Sequence, residues 1–213
     1  MKALKDCRLY AFVDTAWLKG RDPVEVARQL CDGGADILQL RAKREDREDI
    51  ERMAEAILRV TRAAGVPLVI NDYPDIAQRV GAECVHLGQE DFFDAGLNHR
   101  SQLAALSPRT LVGLSSHAPE QGLRAVAAGA DYIAVGPVFE TGTKPGRPAC
   151  TLEYVRWAAA NVRSPWFAIG GITLGNLEPV LAAGARRICV VSAILNAADV
   201  TVACREFQRR LQG

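Results

Sequence analysis

The chain has 213 residues and nearly cancelling charge, 26 Lys and Arg against 25 Asp and Glu for a net +1. With 49% hydrophobic and 24% charged residues it can bury a sizeable core, which excludes a chain disordered throughout. The balanced charge argues against a general nucleic-acid binder, which carries a basic face, and no apolar run reaches the ~18 residues of a membrane span. The start, Met1-Lys2-Ala3-Leu4-Lys5-Asp6, has no apolar signal segment. Six cysteines lie at 7, 31, 84, 150, 189 and 204 with no C-x-x-C pair. Most sit in apolar surroundings, so they are expected to be reduced small hydrophobes in a cytoplasmic protein.

In chain order, eight short apolar runs read as strands: Leu9–Asp14, Asp36–Ala42, Pro67–Asn71, Cys84–Gly88, Leu111–Ser116, Asp131–Val138, Trp166–Gly171 and Arg187–Ser192. Their Val, Ile and Leu content suits strands buried on both faces. Helical stretches fall between them. Asp22-Pro23 opens the first, as N-cap and first helical residue. Asp46 to Ala64 repeats Ile50, Met53, Ala54, Ile57 and Leu58 at helical spacing. Others cover about 74–80, 99–106, 118–128, 151–161, 175–183 and 199–212. Gly34-Ala35-Asp36, Gly81-Ala82-Glu83, Gly129-Ala130-Asp131 and Gly184-Ala185-Arg186 each precede a strand, where glycine caps the helix before it. Eight repeated βα units predict an α/β fold, a (β/α)8 TIM barrel with residues 1–213 as a single domain. An open doubly wound sheet is the alternative; it is weakened by the count of eight and the lack of G-x-G-x-x-G after the first strand.

In such a barrel the chemistry sits at the C-terminal strand ends. On the second strand, alternation turns Gln39, Arg41 and Lys43 into the lumen, a costly arrangement unless an anion binds there. Asp72 and Asp91 follow the third and fourth strands on the same rim. Asp72 reads either as an N-cap or, with Asp91, as a carboxylate pair for Mg²⁺ held with substrate phosphates; the facing cations favour the metal. After strand five, Ser115 is expected to be a hydrogen-bonding ligand. Ser116 reads as a helix cap, and a Ser/His hydrolase is disfavoured because adjacent strand residues point apart. Phe139–Cys150 is the most irregular stretch, and Lys144 in it suits either a flap over a phosphate or a plain surface loop. Gly170-Gly171 after strand seven and Val191-Ser192 after strand eight occupy the recurrent phosphate-binding position of these barrels. Two phosphate sites on one rim, with no evident general base, fit a reaction driven by loss of pyrophosphate.

The ordered set Gln39-Leu40-Arg41-Ala42-Lys43, Asn71-Asp72, His86 to Asp91, Gly113 to His117, Gly136-Pro137-Val138-Phe139 with Thr141 to Pro145, Ile169 to Ile172, and Val190 to Ile194 resembles the thiamine-phosphate synthase family. It spans strands two to eight. The resemblance implies condensation of 4-amino-2-methyl-5-hydroxymethylpyrimidine diphosphate with 4-methyl-5-(2-hydroxyethyl)thiazole phosphate, giving thiamine phosphate and pyrophosphate by a dissociative route. It further implies that Gln39, Arg41, Lys43 and Asn71 hold the pyrimidine diphosphate and that Asp72 and Asp91 bind Mg²⁺. Ser115 and Lys144 would contact the pyrimidine or its pyrophosphate. Thr141, Thr143, Gly171, Val191 and Ser192 would hold the thiazole phosphate, and Arg41, Lys43, Ser115 and Lys144 form the catalytic set. Ala42 stands where the family often has an acid, Tyr73 where Arg is common, and Glu140 where Pro is common. Phe139-Glu140-Thr141 also resembles the sister thiazole tautomerases, in which His117 would be the acid/base; those typically lack Lys43 and the Asp pair. A non-catalytic paralogue binding the same phosphates is the third reading. The expected partners are small phosphorylated molecules, not nucleic acid or membrane. A homo-oligomer is left open, because apolar helix-face residues such as Trp157 serve either core or interface.

Overall fold

Strands whose two faces are both apolar must be covered on both sides, and a closed barrel inside a ring of helices does that. The computed structural model describes residues 2–104, 106–141 and 149–212. Its strands are β1 (Leu9–Asp14), β2 (Ile37–Arg41), β3 (Leu68–Asn71), β4 (Cys84–Leu87), β5 (Leu111–Ser116), β6 (Tyr132–Val135), β7 (Trp166–Ile169) and β8 (Ile188–Val190). They pair in parallel in sequence order, and β8 closes on β1 through Leu9–Ile188, Tyr10–Cys189 and Ala11–Val190. The expected (β/α)8 barrel is the observed fold.

The helices are α1 (Pro23–Asp32), α2 (Arg47–Ala64), α3 (Pro74–Val80), α4 (Pro119–Ala127), α5 (Thr151–Asn161), α6 (Leu177–Ala182), α7 (Ser192–Leu195) and α8 (Val200–Gln212). Asp22 caps α1 as expected, accepting from Val24 N at 2.9 Å. The helix expected over 99–106 is absent; a 3₁₀ turn at Arg100–Gln102 stands there, after a π turn at Glu90–Asp94. Arg100 N bonds Ala128 O at the end of α4, and the Arg100 side chain pairs with Asp131. Those partners hold the segment in another path, while Phe92 and Phe93 of the π turn fill the core in the helix's place. The four-residue α7 was not expected, being too short to show a periodicity.

Strand alternation makes two cores. Outward residues such as Leu38, Leu40, Ile70 and Val85 pack under the helices, and Ala42 lies among them. Inward residues Tyr10, Phe12, Ile37, Val69, Cys84, Tyr132, Phe167 and Cys189 fill the lumen. Gly113 leaves room for a large neighbour: a Cβ there would lie 2.0 Å from Tyr132 Cζ. All six cysteines are free thiols. Trp157 is half-buried and stacks on Tyr154 at 5.7 Å. No described helix is long and apolar enough to cross a membrane.

The Gly-Ala-acid repeats have a second role that their spacing did not reveal. Each acid precedes an even-numbered strand and accepts backbone N–H groups from the odd-numbered strand before it. Asp36 takes Arg8 N at 2.7 Å and Leu9 N at 3.0 Å, Glu83 takes Leu68 N at 3.0 Å, and Asp131 takes Val112 N at 2.7 Å. These bonds staple the N-terminal end of the barrel, and Arg186 breaks the pattern before β8.

Asp36 also accepts from Lys2 Nζ at 2.5 Å and Gln208 Nε2 at 3.0 Å. Burial works to raise its carboxyl, but these bonds outweigh that and hold it below the usual range. Since the folded pKa lies below the unfolded value of about 3.9, its stabilisation is complete above that pH and fades as pH falls through the folded pKa. Asp36→Asn is therefore expected to cost about 2 kcal/mol at pH 7 and progressively less below pH ~4, read from urea midpoints.

Candidate active site

One cavity, about 860 Å³ of empty space counted out into its open mouth, lies at the C-terminal strand ends. It collects Gln39, Arg41, Asn71 and Ser115 from β2, β3 and β5, together with Thr141, Gly171, Val191 and Ser192 from the loops after β6, β7 and β8. These residues come from six strand ends because inward-facing side chains of a closed barrel converge on one axis. Thr143 and Lys144 lie outside the described residues.

The cationic side is built unevenly. The Arg41 guanidinium pairs with Asp14 Oδ2 at 2.8 Å, where Asp14 is 1% exposed. Asp14 was missed in the sequence because it reads as the polar end of β1. A guanidinium has five N–H donors, so a bond to Asp14 fixes the plane while others remain to face an anion. Lys43, expected in the lumen, does not line the cavity, because β2 ends at Arg41; it pairs with Asp72 and is 45% exposed. Asp14→Ala, which strands a buried charge, is expected to cost about 3 kcal/mol. Lys43→Ala should cost under about 1 kcal/mol. Denaturant midpoints of the two variants check the contrast.

Asp72 is not a helix cap. Tyr73 occupies the N-cap position of α3, and Asp72 adopts φ +66°, a left-handed conformation that Asp tolerates better than most residues. Its amide donates to His86 O at 2.9 Å. Burial first, and the neighbouring Asp91 charge next, raise its carboxyl above the usual range against the pull of Lys43. Asp91 Oδ2 would lie 2.7 Å from a Cβ at Gly88, so a glycine there makes space for it. Two adjacent carboxylates whose repulsion a cation would relieve are a hard-oxygen donor set that fits Mg²⁺. No cluster of three or more His, Cys, Asp or Glu surrounds them among the described residues. Further ligands would therefore be water or phosphate oxygens.

Ser116 does not cap α4, whose N-cap is Ala118. It faces outward, donating to Ala134 O at 2.8 Å and accepting from Tyr154 Oη at 2.8 Å. Ser115 faces the cavity, with its carbonyl held by Gln89 Nε2 at 2.5 Å and its hydroxyl 3.0 Å from His86 Nε2. His117 also lines the cavity, and its Nδ1 meets the Gly136 carbonyl.

On the opposite side Gly170 and Gly171 take φ of +105° and +64°, which glycine alone adopts without strain. Phe139 N donates to Gly170 O at 3.1 Å, joining the loops after β6 and β7. Asn176 Nδ2 holds Gly171 O at 2.9 Å, a support the sequence did not point to. Glu140 approaches through its backbone: its carbonyl would lie 2.6 Å from a Cβ at Gly171, while the residue is exposed. Replacing the family's Pro there adds a side chain to the solvent side. Tyr73, where Arg is common, lies with its ring 4.9 Å beneath the Arg47 guanidinium, so a cation remains near that position.

A (β/α)8 barrel with a small-molecule cavity on its C-terminal rim is the class of protein that this fold and site define. A sequence model described as thiamine monophosphate synthase matches residues 9–194, and the chain belongs to that family. It is 51% identical to a thiamine-phosphate synthase of Thermus thermophilus over 182 residues, 85% of each chain. It is 44% identical to one from Thermobifida fusca over 212 residues, covering 99% of this chain and 94% of the other. Among solved structures, a thiamine phosphate pyrophosphorylase from Pyrococcus furiosus superposes with a TM-score of 0.85 at 30% identity, covering 98% and 97% of the two chains.

Proposed function

We propose that this protein is a thiamine-phosphate synthase, a transferase that joins 4-amino-2-methyl-5-hydroxymethylpyrimidine diphosphate to 4-methyl-5-(2-hydroxyethyl)thiazole phosphate. The observation that carries the reading is that one cavity gathers Gln39 and Arg41 of β2 and Asn71 of β3 on one side and the glycine turn after β7 with Val191 and Ser192 after β8 on the other, in a chain of this family. The relatives carry the synthase name, so the tautomerase and idle-paralogue readings are not favoured. Six free thiols accord with a reduced, cytoplasmic setting.

In this reading Arg41, Lys43 and Asn71 bind the diphosphate, and Gln39 and Ser115 address the pyrimidine. Asp72 and Asp91 would hold Mg²⁺, which when bound neutralises charge on the departing pyrophosphate. The bond between the pyrimidine methylene carbon and the diphosphate oxygen breaks, and its electron pair leaves with pyrophosphate. The thiazole nitrogen then donates its lone pair to the methylene cation, forming the C–N bond; no proton is transferred. Tyr10 and Phe12 on the cavity wall help keep water from the cation. Gly171, Val191, Ser192, Thr141 and Thr143 seat the thiazole phosphate, and Lys144 meets the pyrophosphate or pyrimidine from the loop.

The test is product formation from the two purified substrates with and without Mg²⁺. Thiamine phosphate is expected only with the metal, and its absence from folded, Mg²⁺-supplied protein would overturn the reading. Lys43→Ala and Asp91→Ala should each lower kcat by about 100-fold or more while the fold persists. Full turnover in either variant refutes the site assignment. His117→Ala should retain synthase activity.

A further inference from the structure

A continuous chain of polar contacts crosses the barrel lumen, and no substrate assignment uses most of it. Gln39 Nε2 donates to Tyr10 Oη at 2.6 Å, and Tyr10 Oη lies 3.0 Å from Tyr132 Oη. Tyr132 Oη is 3.2 Å from His86 Nδ1, and His86 Nε2 is 3.0 Å from Ser115 Oγ. The chain thus visits β2, β1, β6, β4 and β5 in turn, and all five residues are buried. Phe12 and Phe167 show that plain aromatic rings suit this lumen. Two phenols where phenylalanines would pack require a polar reason, because a partly satisfied buried network is worse than an apolar one.

One direction uses every donor within the chain. An amide nitrogen only donates, and each hydroxyl has one proton to pass on. Tyr10 has Gln39 and Tyr132 as its partners in the chain, so with Gln39 donating to it the Tyr10 proton is placed on Tyr132, and the Tyr132 proton in turn on His86 Nδ1. That nitrogen must then be bare, so Nε2 carries the imidazole proton and donates to Ser115 Oγ. The Ser115 proton is left to point into the cavity. Burial holds both phenols well above their ordinary pKa, so both stay protonated and able to donate.

We infer that Tyr10, Tyr132 and His86 are positioning residues that act as one head-to-tail hydrogen-bond chain. The chain holds His86 as the neutral Nε2–H tautomer and makes Ser115 a fixed hydrogen-bond donor, while Gln39 presents its Oε1 as an acceptor. A donor and an acceptor at the two ends match an aminopyrimidine, with its ring nitrogens and exocyclic amine. This last point rests on the proposed function; the tautomer does not. His86 thereby orients Ser115.

The test combines nitrogen NMR of histidine-labelled protein with steady-state kinetics on wild type, Tyr132→Phe and Tyr10→Phe. His86→Gln identifies the His86 signals. Wild type without ligand should show a bare Nδ1 and a protonated Nε2. Each Phe variant should lose that fixed tautomer and raise KM for the pyrimidine diphosphate by about tenfold, with KM for the thiazole phosphate unchanged. The second variant serves if the first fails to fold. A protonated Nδ1 in wild type overturns the proposal. So does a Phe variant that loses thermal stability alone, keeping both the tautomer and both KM values. If wild type makes no thiamine phosphate, the proposed function fails, yet the tautomer comparison still decides whether the chain exists.

Discussion

When β8 pairs with β1 the sheet loses its last edges, and every inward side chain is committed to one lumen. A one-residue slip in any strand would send its lumen set to the helices and its helix set to the lumen. The Asp36, Glu83 and Asp131 staples act at the opposite end from the cavity. They tie neighbouring strands together where no ligand contributes order. The rim is thereby free to carry groups chosen for chemistry, such as left-handed Asp72 and the Gly170-Gly171 turn.

The cavity divides by electrostatic style. The charges at its β2–β3 rim differ in freedom: Arg41 lines the cavity and is fixed by buried Asp14, whereas Lys43 lies outside the lining, half in solvent, and pairs with Asp72. A fixed guanidinium provides geometry, and a mobile ammonium can change partners when an anion arrives. The β7–β8 side uses backbone, which demands glycine at positive φ and a helix start. The floor between them is neither: it is the aromatic lumen with its chain of hydroxyls.

The strands were legible because burial on both faces leaves a run of apolar residues that nothing else in a short segment explains. Gln39 and Arg41 were legible as lumen residues for the same reason, since they interrupt such a run at alternate positions. Asp72 and Ser116 were ambiguous, because a short polar residue after a strand serves equally as cap or ligand. Neither is a cap: Asp72 adopts a left-handed backbone ahead of the Tyr73 N-cap, and Ser116 faces outward onto Tyr154. The helix expected after β4 failed because the Arg100 amide and side chain found partners at the end of α4 and on Asp131, which no local propensity reports.

The order of strands, the barrel, the family and the rim positions that carry polar groups follow from the sequence alone. They depend on periodicity and on motifs a few residues long, and both are local. The pairing of Asp14 with Arg41, the closeness of Asp72 to Asp91, and the Tyr10–Tyr132 contact between residues 122 positions apart were decided by the tertiary structure. Tyr10, Tyr132 and His86 sit in apolar runs and read there as core. Only closure of the barrel brings their polar atoms within hydrogen-bonding distance of one another.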